Sequence, residues 1–169
     1  MTGDDLGKLF TTFRRTAFRL ETLPAYDVTE DAERDAYRRW QTGQQPPAQE
    51  RDWPKLVASA VGSGKTMQRV RIVRELTDYI RFEMEWGYLA NVAAGEDIRV
   101  LELADDVPGM VDHDYWLFDE ATVVRLEYAA DGSFIRPAEV SAIEPYRRCC
   151  DLAMRLAVPF REYRPSLFI

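Results

Sequence analysis

Five arginines recur at alternating positions in stretches that read as strands: Arg19 in "RLE", Arg69 and Arg71 in "RVRIV", Arg99 in "IRVLEL" and Arg125 in "VVRLEY". Alternate residues of a strand share a face. Arg69 and Arg71 therefore stand together opposite Val70 and Ile72, Arg19 stands opposite Phe18 and Leu20, and Arg125 opposite Val124 and Leu126. If the strands are neighbours, the guanidinium groups converge, and their planar donor sets suit a phosphate or a carboxylate. Glu21 and Glu127 fall on the same faces, so cross-strand Arg–Glu pairs would turn the cluster into an ordinary solvated surface. That second outcome is the favoured expectation. Arg99 is the least defined member, because both faces of its strand look buried.

Other groups have less support. His113 is the only histidine, and Asp105, Asp106, Asp112, Asp114 and Asp119 surround it in sequence. Carboxylates with one imidazole could hold a hard cation, but the spacing matches neither an EF-hand loop nor HExxH, so no metal and no cofactor is expected. Cys149 and Cys150 are adjacent in a predicted helix, where a disulfide would strain the backbone; one buried and one partly exposed thiol is expected. Arg81 and Glu85 lie four apart on the longest predicted helix, the spacing of an intrahelical ion pair; alternatively Tyr79, Arg81 and Glu85 line a pocket beside the sheet. Gly62-Ser63-Gly64-Lys65-Thr66 looks like the end of a phosphate-binding loop. That loop needs a strand before it and a helix after it. Here a helix precedes and a strand follows, and Ser59 stands where the first glycine belongs, so a plain helix-to-strand connection is expected.

The positioning elements follow from periodicity. Leu6, Leu9, Phe10 and Phe13 give a first helix with an acidic start at Asp4-Asp5. "RTAFRLETL" alternates as a half-buried strand ended by Pro24. Thr29-Glu30-Asp31 caps a polar helix to Gly43, "QTGQQPPAQERD" is a loop, and a short helix runs from Trp53 to Val61. "QRVRIVRE" is a strand. The helix from Thr77 to Gly95 carries a stripe of Tyr79, Phe82, Trp86, Leu89 and Ala93 and should be mostly buried. "DIRVLEL", "YWLFD", "TVVRLEY" and a short piece after "DGS" are further strands, and a last helix starts at Pro145. The expected fold is α/β, bordering on α+β. It has a mixed twisted sheet of about five or six strands, helices packed on the sheet, a right-handed βαβ crossover from "RVRIV" to "IRVLEL" and an antiparallel hairpin after residue 114. One domain is expected over 1–169, comprising an N-terminal helical and strand region (1–62), a core (67–137) and a C-terminal helix (145–157).

The segments "LFTTFRRTAFRLETLPAYDV", "DYIRFEMEWGYLANVAAGEDIRVLEL" and "DYWLFDEATVVRLEYAADGSFI" resemble a large actinobacterial family of uncharacterised proteins, described as a domain of unknown function. The resemblance covers nearly the whole chain. It implies genetic company with helix-turn-helix regulators and small companion proteins, and it supplies no active site. The core 67–137 also resembles one half of a phospholipase-D-like domain. That resemblance puts His113 at the nucleophile position and Glu120 near the expected acid, but Tyr115 at the position of the lysine. Without the lysine, the charge on the transferring phosphoryl group loses a stabiliser. The resemblance therefore implies a non-catalytic relative.

Bulk properties bound the rest. The net charge is -7 and the pI about 4.9, so general binding to nucleic acid or acidic membranes starts against repulsion. No apolar run approaches a membrane span, no signal peptide is seen, and two adjacent cysteines fit a reduced cytoplasm. The functional expectation is a non-enzymatic cytoplasmic regulatory or interaction module working with a protein partner such as a helix-turn-helix regulator, without direct nucleic-acid contact and with a homodimer left open. The alternatives are a phospholipase-D-like phosphodiesterase or nuclease relative, a phosphate-ligand domain, and one member of a toxin–antitoxin-like pair.

Overall fold

A computed structural model describes residues 1–27, 31–48 and 51–166. The proposed cap at Thr29-Glu30 and the last three residues of the tail lie outside them. The elements in chain order are α1 (Gly3–Thr12), β1 (Thr16–Glu21), α2 (Asp31–Gln41), α3 (Asp52–Gly62), β2 (Thr66–Val73), α4 (Asp78–Phe82), a π-helical turn (Glu83–Gly87), α5 (Tyr88–Ala93), β3 (Asp97–Glu102), β4 (Tyr115–Phe118), β5 (Thr122–Tyr128), β6 (Phe134–Val140), α6 (Glu144–Leu156) and β7 (Val158–Pro159).

The strands form one mixed sheet in the order β6-β5-β4-β1-β2-β3-β7. β1, β2 and β3 are parallel, and the remaining pairings are antiparallel. The α/β class therefore holds, with seven strands among the described residues where five or six were expected. The extra strand, β7, has two residues and contains a proline, too short to show alternation. The hairpin β4–β5 turns at Asp119 and Glu120, both at positive φ. Asp119 also accepts the backbone N–H groups of Arg14, Arg15 and Thr16 at 2.7–3.0 Å, fixing the entry to β1.

Both faces of the sheet are covered, so β1 is buried on both sides and not half-buried as its alternation suggested. One face carries Phe18, Leu20, Val70, Ile72, Tyr115, Leu117 and Val123 and packs on Cys149 and Ala153 of α6. The other face divides in two. Its first half is apolar: Ala17, Met67, Phe118 and Val124 meet Phe13 and Val57 of the α1 and α3 layer. Its second half carries Arg19, Glu21, Arg69 and Arg71 and is roofed by α2 and the helical run 78–93.

That run begins at the N-cap Thr77, whose hydroxyl accepts the Ile80 N–H at 3.2 Å. The π-helical turn adds a residue to the helical repeat. The face presented to the sheet therefore rotates after residue 87. Tyr79 and Phe82 are buried as the stripe requires, but Leu89 is 51% exposed while Tyr88 and Asn91 turn inward. Between α3 and β2, Gly64 takes φ +80 and the Lys65 ammonium lies 4.5 Å from the Phe13 ring centroid. The Gly-Ser-Gly segment is a helix-to-strand connection, as its order in the sequence required.

Candidate ligand-binding site

The parallel register of β1 and β2 sets Arg19 beside Arg69 and Glu21 beside Arg71, and β4 adds Trp116 next to Arg19. Every second residue points to the same side, so three guanidinium groups and a carboxylate emerge together. They are not a solvated face: Arg19 is 5% exposed, Arg69 9% and Arg71 0%.

Burying charges costs several kcal/mol per ion unless partners compensate, and the partners come from distant parts of the chain. Arg19 Nη2 donates to Asp114 Oδ2 at 2.6 Å and to the Tyr128 hydroxyl at 3.1 Å. Asp114 also accepts the Thr22 N–H and hydroxyl at 2.8 and 2.7 Å and the Tyr26 hydroxyl at 2.6 Å. Arg69 donates to Glu21 and, through Nε, to Glu96 Oε1 at 2.8 Å, while Trp53 Nε1 donates to the other Glu96 oxygen at 2.9 Å. Arg71 donates to the Leu23 carbonyl at 2.7 Å and lies 3.6 Å from Glu21 Oε2, which also accepts the Tyr88 hydroxyl at 2.9 Å. Burial alone would raise the Glu21 pKa, but Arg69, Arg71 and Arg19 outweigh it and hold the carboxyl at about 2. Burial pushes the Tyr26 and Tyr88 hydroxyls well above their usual range, so they remain neutral donors. Three arginines thus meet three carboxylates, Glu21, Glu96 and Asp114. Aromatic rings complete the enclosure: Arg19 lies 5.7 Å from the Trp116 centroid, Arg69 5.7 Å from Trp53, and Arg71 5.2 Å from Tyr26.

Above this floor lies a cavity of about 840 Å³. Arg19, Glu21 and Arg69 form its base, Tyr79, Phe82, Glu83 and Asn91 come from the helical run, and Trp53, Trp116 and Tyr128 from other elements. Gly132, at φ +85, lets the β5–β6 turn close on the segment that carries Tyr26, where a Cβ would stand 2.9 Å from the Ala25 carbonyl oxygen. Three buried residues of the wall keep a polar atom without a partner among the described residues: Arg19 Nη1, Glu83 Oε1 and Asn91 Oδ1. Glu83 projects from the π-helical turn. Its carboxylate lies over Gly87, where a Cβ would sit 2.8 Å from both oxygens. Burial first, then the charges of Glu33 and Glu21, raise its pKa to about 7.

The residues singled out in the sequence are distributed unevenly around this site. Arg19, Arg69, Arg71 and Tyr79 come together at or beneath the cavity. Arg125 does not, because it pairs in register with Tyr115 on the α6 face and is exposed. Arg99 is on that face too, against Asp97 and the Met154 carbonyl. Glu127 leaves the cluster as well and binds Arg136 at 2.7 Å. Arg81 and Glu85 line a separate groove with Phe160 and Tyr163, and Glu85 accepts from Trp40 Nε1 at 2.6 Å. His113 contacts Asp112 at 3.0 Å and the Tyr146 hydroxyl at 2.9 Å, Tyr115 donates to the Tyr146 carbonyl at 3.0 Å, and Glu120 sits in the turn beyond the far end of β4. These three do not converge on one centre. Cys149 is buried and Cys150 partly exposed, with burial raising the Cys150 thiol to about 12.

Sequence reading missed Glu83, Asn91 and Glu96, and it grouped Asp114 with the carboxylates around His113 and not with the arginines. An acid in the middle of an aromatic helical stripe was the available sign for Glu83; nothing local marked Asn91 or Glu96.

Fold and site together define a mixed α/β domain with an ionic floor and an aromatic-walled cavity on one sheet face. The chain matches the family described as "Domain of unknown function (DUF6879)" over residues 4–165 and belongs to it. No curated protein matches it.

Proposed function

We propose that the chain is a non-enzymatic regulatory module that holds a small molecule in the cavity over β1 and β2 and passes its occupancy to a protein partner. The observation that carries this reading is a cavity of about 840 Å³ whose lining includes three buried residues, Arg19, Glu83 and Asn91, each with a side-chain polar atom that has no partner among the described residues. Concave, largely aromatic sites with a few converging polar groups are where small molecules bind. A buried ion network is a weak source of stability, and the apolar half of the same sheet face packs without one. The polar half coincides with the cavity, which favours recognition as its role.

The partner is a protein, with a helix-turn-helix regulator as the first candidate, and the setting is the cytoplasm. Among the described residues no helix is long and apolar enough to cross a membrane, and the net charge of -7 disfavours direct binding to DNA. The phospholipase-D-like alternative has less support, since His113 contacts Tyr146 of α6 on the opposite face from the cavity.

Affinity purification from native cells, with mass spectrometry of co-purified proteins and small molecules, tests the proposal. A compound retained by the wild type and lost from Ala90→Trp, which crowds the cavity from the helical run, is the expected result. Retention of no compound, together with no thermal shift in a metabolite extract, overturns it. Chemical conversion of the recovered compound, abolished in Glu83→Gln, would replace it with an enzyme centred on Glu83.

A further inference from the structure

Three arginines in the floor suggest an anionic ligand, and the surrounding charges oppose that. Asp114, Glu21 and Glu96 already take up the guanidinium charge of Arg19, Arg69 and Arg71. Among the described residues lining the cavity, five are carboxylates, Glu21, Asp27, Glu33, Asp52 and Glu83, against three arginines, Arg19, Arg51 and Arg69. An incoming phosphate would meet a formally net negative lining. On the described residues that line the cavity, the atoms left to be matched are two acceptors, Glu83 Oε1 and Asn91 Oδ1, and one donor, Arg19 Nη1; Arg71 Nε and Nη1, beneath the floor, are unmatched donors. Tyr79, Phe82, Trp86 and Trp116 also line the cavity, and the π-density of aromatic rings attracts cations.

We propose that the ligand is an organic cation with N–H donors on a flat apolar body, an aryl-ammonium or amidinium, whose nitrogen binds the Glu83 carboxylate. This rests on the reading of the cavity as a ligand site. Asn91 Oδ1 takes a further N–H, the aromatic walls cover the body, and the free Nη1 of Arg19 meets a neutral acceptor on the ligand, its charge being held by Asp114.

Glu83 faces Glu33 of α2, Glu21 of β1, Arg69 of β2, Arg51 before α3 and Tyr79 of its own helical run. Its proton competes with the ligand, so cation affinity rises as pH climbs through about 7.

The test is calorimetric titration of the full chain with benzamidine and tryptamine, and with their anionic counterparts benzoate and indole-3-acetate. Binding of the cations, weakened about tenfold or more in Glu83→Gln by loss of a charge-assisted hydrogen bond, is expected, and their affinity should lose its pH dependence in that variant. Failure of both cations to bind at millimolar concentration overturns the proposal, as does equal affinity in Glu83→Gln. Binding of the anions alone also overturns it, while leaving the cavity a ligand site. If neither probe set nor a metabolite extract binds, the ligand-site reading falls too.

Discussion

Two carboxylates of the same cavity respond to burial in opposite ways. Glu21 is surrounded by guanidinium groups and held at about 2, so its contribution to stability is present above its ordinary value of 4.5 and is lost as pH falls toward 2. Glu83 is raised to about 7 from an ordinary 4.5, so the native state binds its proton more tightly than the unfolded chain does. Stability is therefore lost as pH rises from 4.5 through 7 and stays lost above. Glu83→Gln removes that penalty: it should stabilise the protein by about 1–3 kcal/mol near pH 8 and leave it nearly unchanged near pH 4. Denaturant titrations at the two pH values check this, and a variant less stable than wild type near pH 8 would show that the carboxylate is structural. Asp114 is the contrasting case. It receives four hydrogen bonds, one from Arg19. Asp114→Ala strands a guanidinium that is only 5% exposed and should cost about 3–5 kcal/mol, the usual result of halving a buried ion pair; a urea midpoint within experimental error of wild type would contradict the network. The Arg71→Glu substitution that a surface cluster would have invited tests folding and not binding, since Arg71 is fully buried.

At the scale of elements, the strands and most helices were legible in the sequence because each rests on a local period. Phe18 and Leu20 alternate with Ala17 and Arg19, and Leu6, Leu9 and Phe10 recur at helical spacing. The site was only half legible. Alternation put Arg69 and Arg71 on one side, but whether that side meets water depends on α2 and the run 78–93 folding over it, which no period in β2 records. The acceptors that neutralise the arginines, Glu96 and Asp114, flank β3 and β4 and reach the cluster only through sheet order. The π-helical turn was hidden as well: it breaks the stripe so that Leu89 leaves the core and Asn91 enters. Gly87 is its sequence trace. Gly87→Ala would normally favour a helix by up to about 1 kcal/mol, yet here the new Cβ meets the Glu83 carboxylate at 2.8 Å. The far end of a flexible side chain yields easily, so stability should change by less than about 1 kcal/mol, while Glu83 moves and its pKa falls toward the ordinary range. Carboxyl-carbon NMR titration of wild type and variant decides it, and an unshifted Glu83 would mean that Gly87 does not set the carboxylate's position.

Across the whole molecule the two faces of the sheet are held differently, and under the proposed function this difference is what would link occupancy of the cavity to a surface that a partner reads. On one face α6 buries Tyr146, Cys149 and Ala153 directly against the strands. On the other, α2 is polar, buries only Ala36, and is fixed through Tyr37 and Trp40 to Tyr79, Phe82 and Trp86, the rings that wall the cavity. Elements with few buried apolar contacts open locally at low free energy. Hydrogen exchange in α2 should therefore be fast beside that of β1, β2 and α6 in the ligand-free protein. A ligand seated among the same rings binds the closed arrangement and not the opened one, so it should slow exchange in α2 and in residues 78–93 in proportion to its saturation. Residues 144–156 should not respond. Exchange measured by mass spectrometry with and without saturating tryptamine separates the outcomes. Slowing confined to the α2 side identifies that layer as the responsive surface, whereas equal slowing of α6 would mean that binding tightens the fold as a unit and offers a partner nothing local to recognise.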